Sequence, residues 1–209
     1  MTIIRVSQNG DLPQITAIHA HHVLKGTGSF EVEAPTLAEM TARRADVLAK
    51  WLPYIVAEGS MQGDIAGEKQ ILGYACCTWF KLRPAYRFSA EDSVYMAPDQ
   101  QGKGLGRALL AELASQAEKM GIRKLIAVIG DSNNVGSIGL HRSAGFTDVG
   151  VLKSCGWKFD QWLDVVLMEK PLGPGNTSSP QVAPHFPFPF PFPFPFPFPF
   201  PSISPLAPR

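Results

Sequence analysis

The sequence predicts an α+β domain built on a mixed sheet, extended at its C-terminus by a low-complexity tail. Three observations lead there. Segments with apolar residues at helical spacing are interleaved with short apolar runs of strand character. A glycine-rich turn, Gln101-Gly102-Lys103-Gly104-Leu105-Gly106, joins one such strand to an amphipathic helix. Of the 209 residues 45% are hydrophobic and the net charge is +1, a composition that suits one globular domain plus a tail.

Taken in order, residues 2–6 read as a short strand. Asp11 is placed to cap a helix whose apolar positions Leu12, Ile15, Ile18 and Val23 recur at helical spacing. His19, His21 and His22 ride on that helix; none forms the i, i+4 pair that a metal needs, so they are expected at the surface or a rim. Gly26-Thr27-Gly28 breaks the helix, and Thr36 with Glu39 makes a capping box that opens a second one running to about Lys50. Residues 52–58 and 71–80 read as strands separated by a turn at Gly67. Residues 81–90 form an irregular basic and aromatic loop, followed by a strand at 93–96, the glycine turn and a third helix that Gly121 stops. Residues 125–129 are a continuously apolar strand of the kind buried on both faces. Asn133 and Asn134 can cap a short helix ending near Gly145. Strands at 146–152 and 162–168, joined by a longer loop around 155–160, complete the sheet.

From about residue 172 the character changes. A Gly/Pro/Ser-rich linker leads into residues 186–201, where Phe alternates with Pro. Proline at every second position removes the donors a sheet requires, so polyproline II or disorder is expected. This divides the chain into a domain at 1–171 and a tail at 172–209. The tail reads either as a non-functional extension or as a ligand for a partner with an aromatic groove.

Near-neutral charge without a basic cluster argues against nucleic acid as the main partner. No run approaches the roughly 20 apolar residues of a membrane span, and no secretory signal is evident. Three cysteines without metal-ligand spacing read as thiols in a reducing cytosol, so a cytoplasmic protein and no metal are expected.

The glycine turn carries the chemistry. Alternate glycines permit positive φ, so successive backbone N–H groups converge on an anion, and the following helix directs the positive end of its dipole to the same point. A nucleotide loop with a magnesium ligand is excluded, because Arg107 and Ala108 follow Gly106. The third glycine also has the wrong spacing for the dinucleotide fingerprint. What fits is Gln/Arg-x-x-Gly-x-Gly/Ala, filled by Gln101, Gly104 and Gly106, and this resembles the coenzyme A loop of the GNAT acetyltransferases. Ser29-Phe30-Glu31, the run from Tyr54 to Glu58, Gly73-Tyr74-Ala75, the run from Ala90 to Met96, Asn134, Leu140-His141, Ala144-Gly145-Phe146, Gly156-Trp157-Lys158-Phe159 and Trp162-Leu163-Asp164-Val165 are similar to the phosphinothricin and methionine sulfoximine N-acetyltransferases of that superfamily.

The resemblance covers about residues 1–171. It implies a mostly antiparallel sheet whose central strands splay apart, acetyl-CoA as co-substrate, a small amino-acid-like amine as acceptor and a homodimer. It places the donor at Val94, Tyr95 and Met96, at Gln101, Gly102, Lys103, Gly104, Leu105, Gly106 and Arg107, and at Asn134, which also reads as a plain helix cap. Glu91 is implied as the general base that frees the attacking amine, against the alternative of a solvated loop carboxylate. His141 is the second choice, and a structural histidine is its alternative. Acceptor recognition falls to Phe30, Lys81, Arg83 and Tyr86 together with Glu91, the cations suiting an anionic acceptor. Phe146 stands where many relatives place a tyrosine, which leaves the acid for the departing thiolate unassigned. An acetyltransferase for polyamines, protein N-termini or lysine, and a non-catalytic acyl-CoA-binding module, are the competing readings.

Overall fold

The computed structural model describes residues 2–60 and 69–180. Eleven regular elements are present among them: β1 (Ile3–Val6), α1 (Leu12–Lys25), α2 (Leu37–Ala49), β2 (Tyr54–Gly59), β3 (Gln70–Trp79), β4 (Ser89–Met96), α3 (Leu105–Lys119), β5 (Lys124–Gly130), α4 (Val135–Ser143), β6 (Thr147–Lys158) and β7 (Gln161–Pro171). The expected turn at Gly67 and the Phe/Pro repeat lie outside the described residues.

The strands form one seven-stranded sheet in the order β1-β2-β3-β4-β5-β7-β6. Every neighbouring pair is antiparallel except β4–β5, which is parallel. That parallel pair is the feature that makes a site. Its register runs only from Ser89↔Lys124 to Asp92↔Ala127, so residues 93–96 and 128–130 part company. A V-shaped gap opens in the sheet beyond Asp92, and its edges carry backbone groups without a ladder partner across it. The splay implied by the family resemblance is therefore present.

The core contains Ile55, Val56, Tyr74, Leu109, Leu110, Leu113, Leu125 and Met168. The 109/110/113 spacing on α3 puts a leucine face against the sheet, and Ile15 and Ile18 do the same from α1. The Thr36 capping box forms as expected, with the Thr36 hydroxyl accepting from the Glu39 N–H and the Glu39 carboxylate accepting from the Thr36 N–H. Gly121 closes α3 at φ +88°.

Several expectations need correction. Asp11 precedes α1 without capping it by its side chain. Its carboxylate accepts two bonds from the Arg5 guanidinium, both at 2.8 Å, and one from the Gln8 N–H. A bidentate charge-assisted pair outcompetes a cap bond. The strand expected at 93–96 starts at Ser89, because Thr78 and Trp79 of β3 pair with Glu91 and Ala90. The loop expected around 155–160 is mostly strand. β6 continues to Lys158 through register shifts at Asp148/Gly150 and Leu152/Gly156, and a turn at Phe159 and Asp160, both with positive φ, leads into β7. Those irregularities erase the period-2 pattern that identifies a strand in sequence. The fold also runs past the expected boundary: Leu172 is buried in the core and its N–H donates to the Arg123 carbonyl.

Candidate active site

The gap between β4 and β5 opens into a cleft of about 770 Å³. One wall is residues 92–96 of β4 and another is residues 127–129 of β5; the 100–107 turn and α4 close the ends. Gly102 and Gly104 have φ values of +73° and +80°, and an added Cβ would meet nothing within 4 Å at either. Glycine is needed there for conformation, not for space. Gly104 is the N-cap of the 15-residue helix α3 and contributes no side-chain cap, and Gly104, Gly106 and Arg107 line the cleft. Two positive-φ glycines leading into a helix N-terminus without a side-chain cap make a main-chain concavity of a kind suited to an anion.

The opposite rim belongs to α4. Asn134 accepts from the Ser137 N–H at 3.1 Å, so the helix-cap reading of this residue holds, and it also lines the cleft. At the apex of the gap, His141 lies 2.9 Å from the Asp92 carboxylate through Nε2 and 2.7 Å from the Ser137 carbonyl through Nδ1. A carbonyl only accepts, so Nδ1 donates there, and protonation of Nε2 would charge the ring and let it donate to Asp92 as well. Burial opposes that charge, yet the hydrogen bond and charge of Asp92 prevail and the His141 pKa is raised. His141 is buried and has both ring nitrogens engaged. It ties α4 to the last residue of β4 that pairs with β5.

A second cavity of about 580 Å³ lies beside the first, and Gly28, Ser93, Tyr95 and Val128 line both. Alternation along the strands builds it: Tyr74, Cys76 and Thr78 of β3 and Glu91, Ser93 and Tyr95 of β4 share one face. Glu91 is half-buried in its wall. Burial pushes its carboxyl pKa up, Asp92 adds to the rise, and Lys81 partly offsets it. Burial, with Asp92 and Glu91 nearby, pushes the Cys76 thiol up to about 12, so it stays a thiol at neutral pH.

Of the acceptor residues expected from sequence, Phe30 and Glu91 line this second cavity, whereas Lys81, Arg83 and Tyr86 line neither cavity. Their loop leaves β3 just after Thr78 and returns two residues before Glu91, and both of those residues are in the cavity wall. Lys81 stacks over Phe80 at 5.0 Å, and Tyr86 packs against the same ring. The donor residues Val94, Tyr95, Met96, Gln101, Gly102, Gly104, Gly106, Arg107 and Asn134 all line the first cleft together with His141; Lys103 and Leu105 do not.

Sequence reading missed several wall residues. His19 is buried, not at a rim, 2.6 Å from the Tyr74 hydroxyl and 2.9 Å from Glu31, while Arg43 makes two 2.9 Å bonds to the same carboxylate. His22 is half-buried, with Nε2 2.8 Å from the Met96 carbonyl at the end of β4, and burial lowers its pKa. The stripe Ile15-His19-Val23 carried the signal for His19, since i, i+4 neighbours share a helix face. Tyr95 could have been found on the second cavity by counting in twos from Glu91.

Comparison with known proteins agrees with this geometry. The family model for the acetyltransferase (GNAT) family matches residues 31–146. A phosphinothricin N-acetyltransferase of Alcaligenes faecalis is 51% identical over 178 residues, 85% of this chain and 86% of that one. An L-methionine sulfoximine/L-methionine sulfone acetyltransferase of Pseudomonas aeruginosa is 37% identical over 171 residues, 82% and 95% of the two chains. A crystal structure of a GNAT superfamily phosphinothricin acetyltransferase from Sinorhizobium meliloti in complex with AcCoA superposes with a TM-score of 0.80 at 39% identity, covering 86% of this chain and 93% of that one. The chain belongs to the GNAT acetyltransferase family.

Proposed function

We propose that the protein transfers the acetyl group of acetyl-CoA to the amine of a small amino-acid-like acceptor of the phosphinothricin, methionine sulfoximine or methionine sulfone type. The observation that carries this is the pair of cavities meeting at the parted strands, one ending on the glycine cradle and the other walled by Glu91. The first cleft fits the donor: main-chain amides at Gly102–Arg107 hold the diphosphate, and the edge of β4 at 94–96, which has no strand partner across the gap, meets the pantetheine amides. The donor supplies an activated thioester, whose carbonyl oxygen becomes negative under attack. A fixed amide of β4 stabilises that charge, an effect worth about 3 kcal/mol where such donors have been removed.

Glu91 takes the proton that the ammonium must lose before it attacks, directly or through water. Its raised pKa makes it a stronger base than an exposed carboxylate, and its ionised form is the one that accepts the proton. Cys76 stays a thiol, which favours direct attack over a covalent acyl-enzyme. His141 braces the apex of the gap, since both of its nitrogens are engaged by protein. Lys81, Arg83 and Tyr86 extend the acceptor site at its mouth, with Lys81 within electrostatic reach of Glu91. The 51% and 37% identical relatives support the acceptor class.

A cytoplasmic location agrees with the buried thiols of Cys76 and Cys77, and no helix among the described residues is long and apolar enough to cross a membrane. A homodimer through β6 and β7 accounts for the exposed Val149, Val151 and Trp157 on the edge strand β6 and for Trp162 beside it on β7.

The test is thiol release from acetyl-CoA with phosphinothricin, methionine sulfoximine, methionine sulfone, free amino acids and polyamines as acceptors. Turnover of the first three is expected. Turnover of polyamines alone would overturn the acceptor class, and coenzyme A binding without turnover would overturn catalysis.

A further inference from the structure

Lys158, the last residue of β6, is only 4% exposed. An ammonium is strongly hydrated, so burying one requires partners that replace its water. Its Nζ donates to two main-chain carbonyls, Gly26 at 2.9 Å and Ser29 at 2.6 Å. Both belong to the irregular connection between α1 and α2. Residues 26–28 of that connection line the donor cleft and residues 28–31 line the second cavity, so it is the wall the two sites share.

The same segment is held at two further points. The Thr27 hydroxyl donates to Asp131 at 3.2 Å. The Phe30 ring lies against Gly130 and Gly156, where an added Cβ would come within 3.0 and 2.3 Å of it. Gly156 and Lys158 are two apart on one strand and so share a face. One clears room for the Phe30 ring and the other grips the carbonyls on either side of Thr27 and Gly28.

We propose, resting on the acetyltransferase reading above, that Lys158 is a positioning residue for the acceptor: it fixes the 26–31 segment against β6 and so sets the shape of the acceptor cavity. It acts through Phe30 and Ser29 and touches no reacting atom.

The test combines kinetics with hydrogen exchange of the full chain. Lys158→Met keeps the stem and removes the donors, and Gly156→Ala pushes on Phe30 while leaving Lys158 in place. Each is expected to raise the KM for the acceptor about tenfold, with a change of less than about twofold in kcat and in the KM for acetyl-CoA. Each should also speed amide exchange at residues 27–31 without altering exchange in β4 or α3. Unchanged acceptor KM and unchanged exchange in Gly156→Ala would overturn the proposal even if Lys158→Met failed to fold. An equal loss in every parameter together with a lower Tm would reduce Lys158 to a packing residue. Exchange needs no turnover, so failure of the latch is distinguishable from failure of the acetyltransferase reading.

Discussion

Glu91 is defined by its neighbours more than by its type. Half-buried in a wall with Asp92 beside it, its carboxyl titrates above the ordinary range, and only the ionised form accepts a proton. The rate is therefore expected to fall as pH drops through that raised value, placing an acid limb above that of a free glutamate. Glu91→Gln should lower kcat/KM by about a hundredfold or more and abolish this limb; a retained limb in the pH–rate profile would assign it to another group. Gly104 is defined by its backbone. A side chain at φ +80° costs about 1–2 kcal/mol in the left-handed region, so Gly104→Ala should weaken acetyl-CoA binding roughly five- to thirtyfold by calorimetry. The absence of any atom near its Cβ means the effect should come through conformation, leaving kcat at saturation nearly unchanged.

At the scale of elements, two histidines hold β4 from opposite sides, and their protons couple to stability with opposite signs. His141 ties α4 to Asp92 with a raised pKa, so the folded state binds the extra proton; its contribution is complete below the ordinary histidine value and is lost as pH rises through the raised one. His22 joins α1 to the Met96 carbonyl with a lowered pKa, so its contribution is present above the ordinary value and is lost as pH falls below it. The Tm of the wild type should therefore peak near pH about 6.5. His22→Asn should flatten the acid side of that peak and His141→Asn the alkaline side; thermal scans across pH check both. His141→Asn should also cost about 3 kcal/mol or more, because Asp92 would remain buried with one oxygen that already has no partner among the described residues. Elements were legible in the sequence wherever one local rule governed them. The capping box of α2, the glycine stops and the leucine face of α3 are of that kind. The full length of β6 is hidden in the sequence because its bulges break alternation, and the start of β4 because its pairing with β3 is a long-range fact. The glycine turn at 102–106 and the segment that holds Glu91 in the cavity wall were recognisable from their sequence motifs. Arg43, His19 and Lys158 were not, since each enters the site through partners 12 to 132 residues away.

For the whole molecule, the fold continues past the last strand. Leu172 is in the core, and Arg123 donates to Ser178 and Ser179. A chain ending at residue 180 should keep the Tm and kcat of the full chain, whereas one ending at 171 should melt several degrees lower through loss of Leu172. The larger consequence concerns β6. It is an edge strand of 12 residues with Trp157 at 54% exposure, beside Trp162 of β7 at 63%. Such an edge invites a second copy, and a stable pair would cover roughly 800 Å² on each. The wild type is thus expected to sediment as two chains and Trp162→Glu as one. This surface bears on the chemistry, because the strand that carries it also holds the 26–31 segment through Gly156 and Lys158. Loosening β6 in the monomer should raise the acceptor KM while acetyl-CoA binding, proposed above for the turn before α3, is unchanged. A monomeric Trp162→Glu enzyme with unaltered acceptor KM would show that β6 needs no partner to hold that wall.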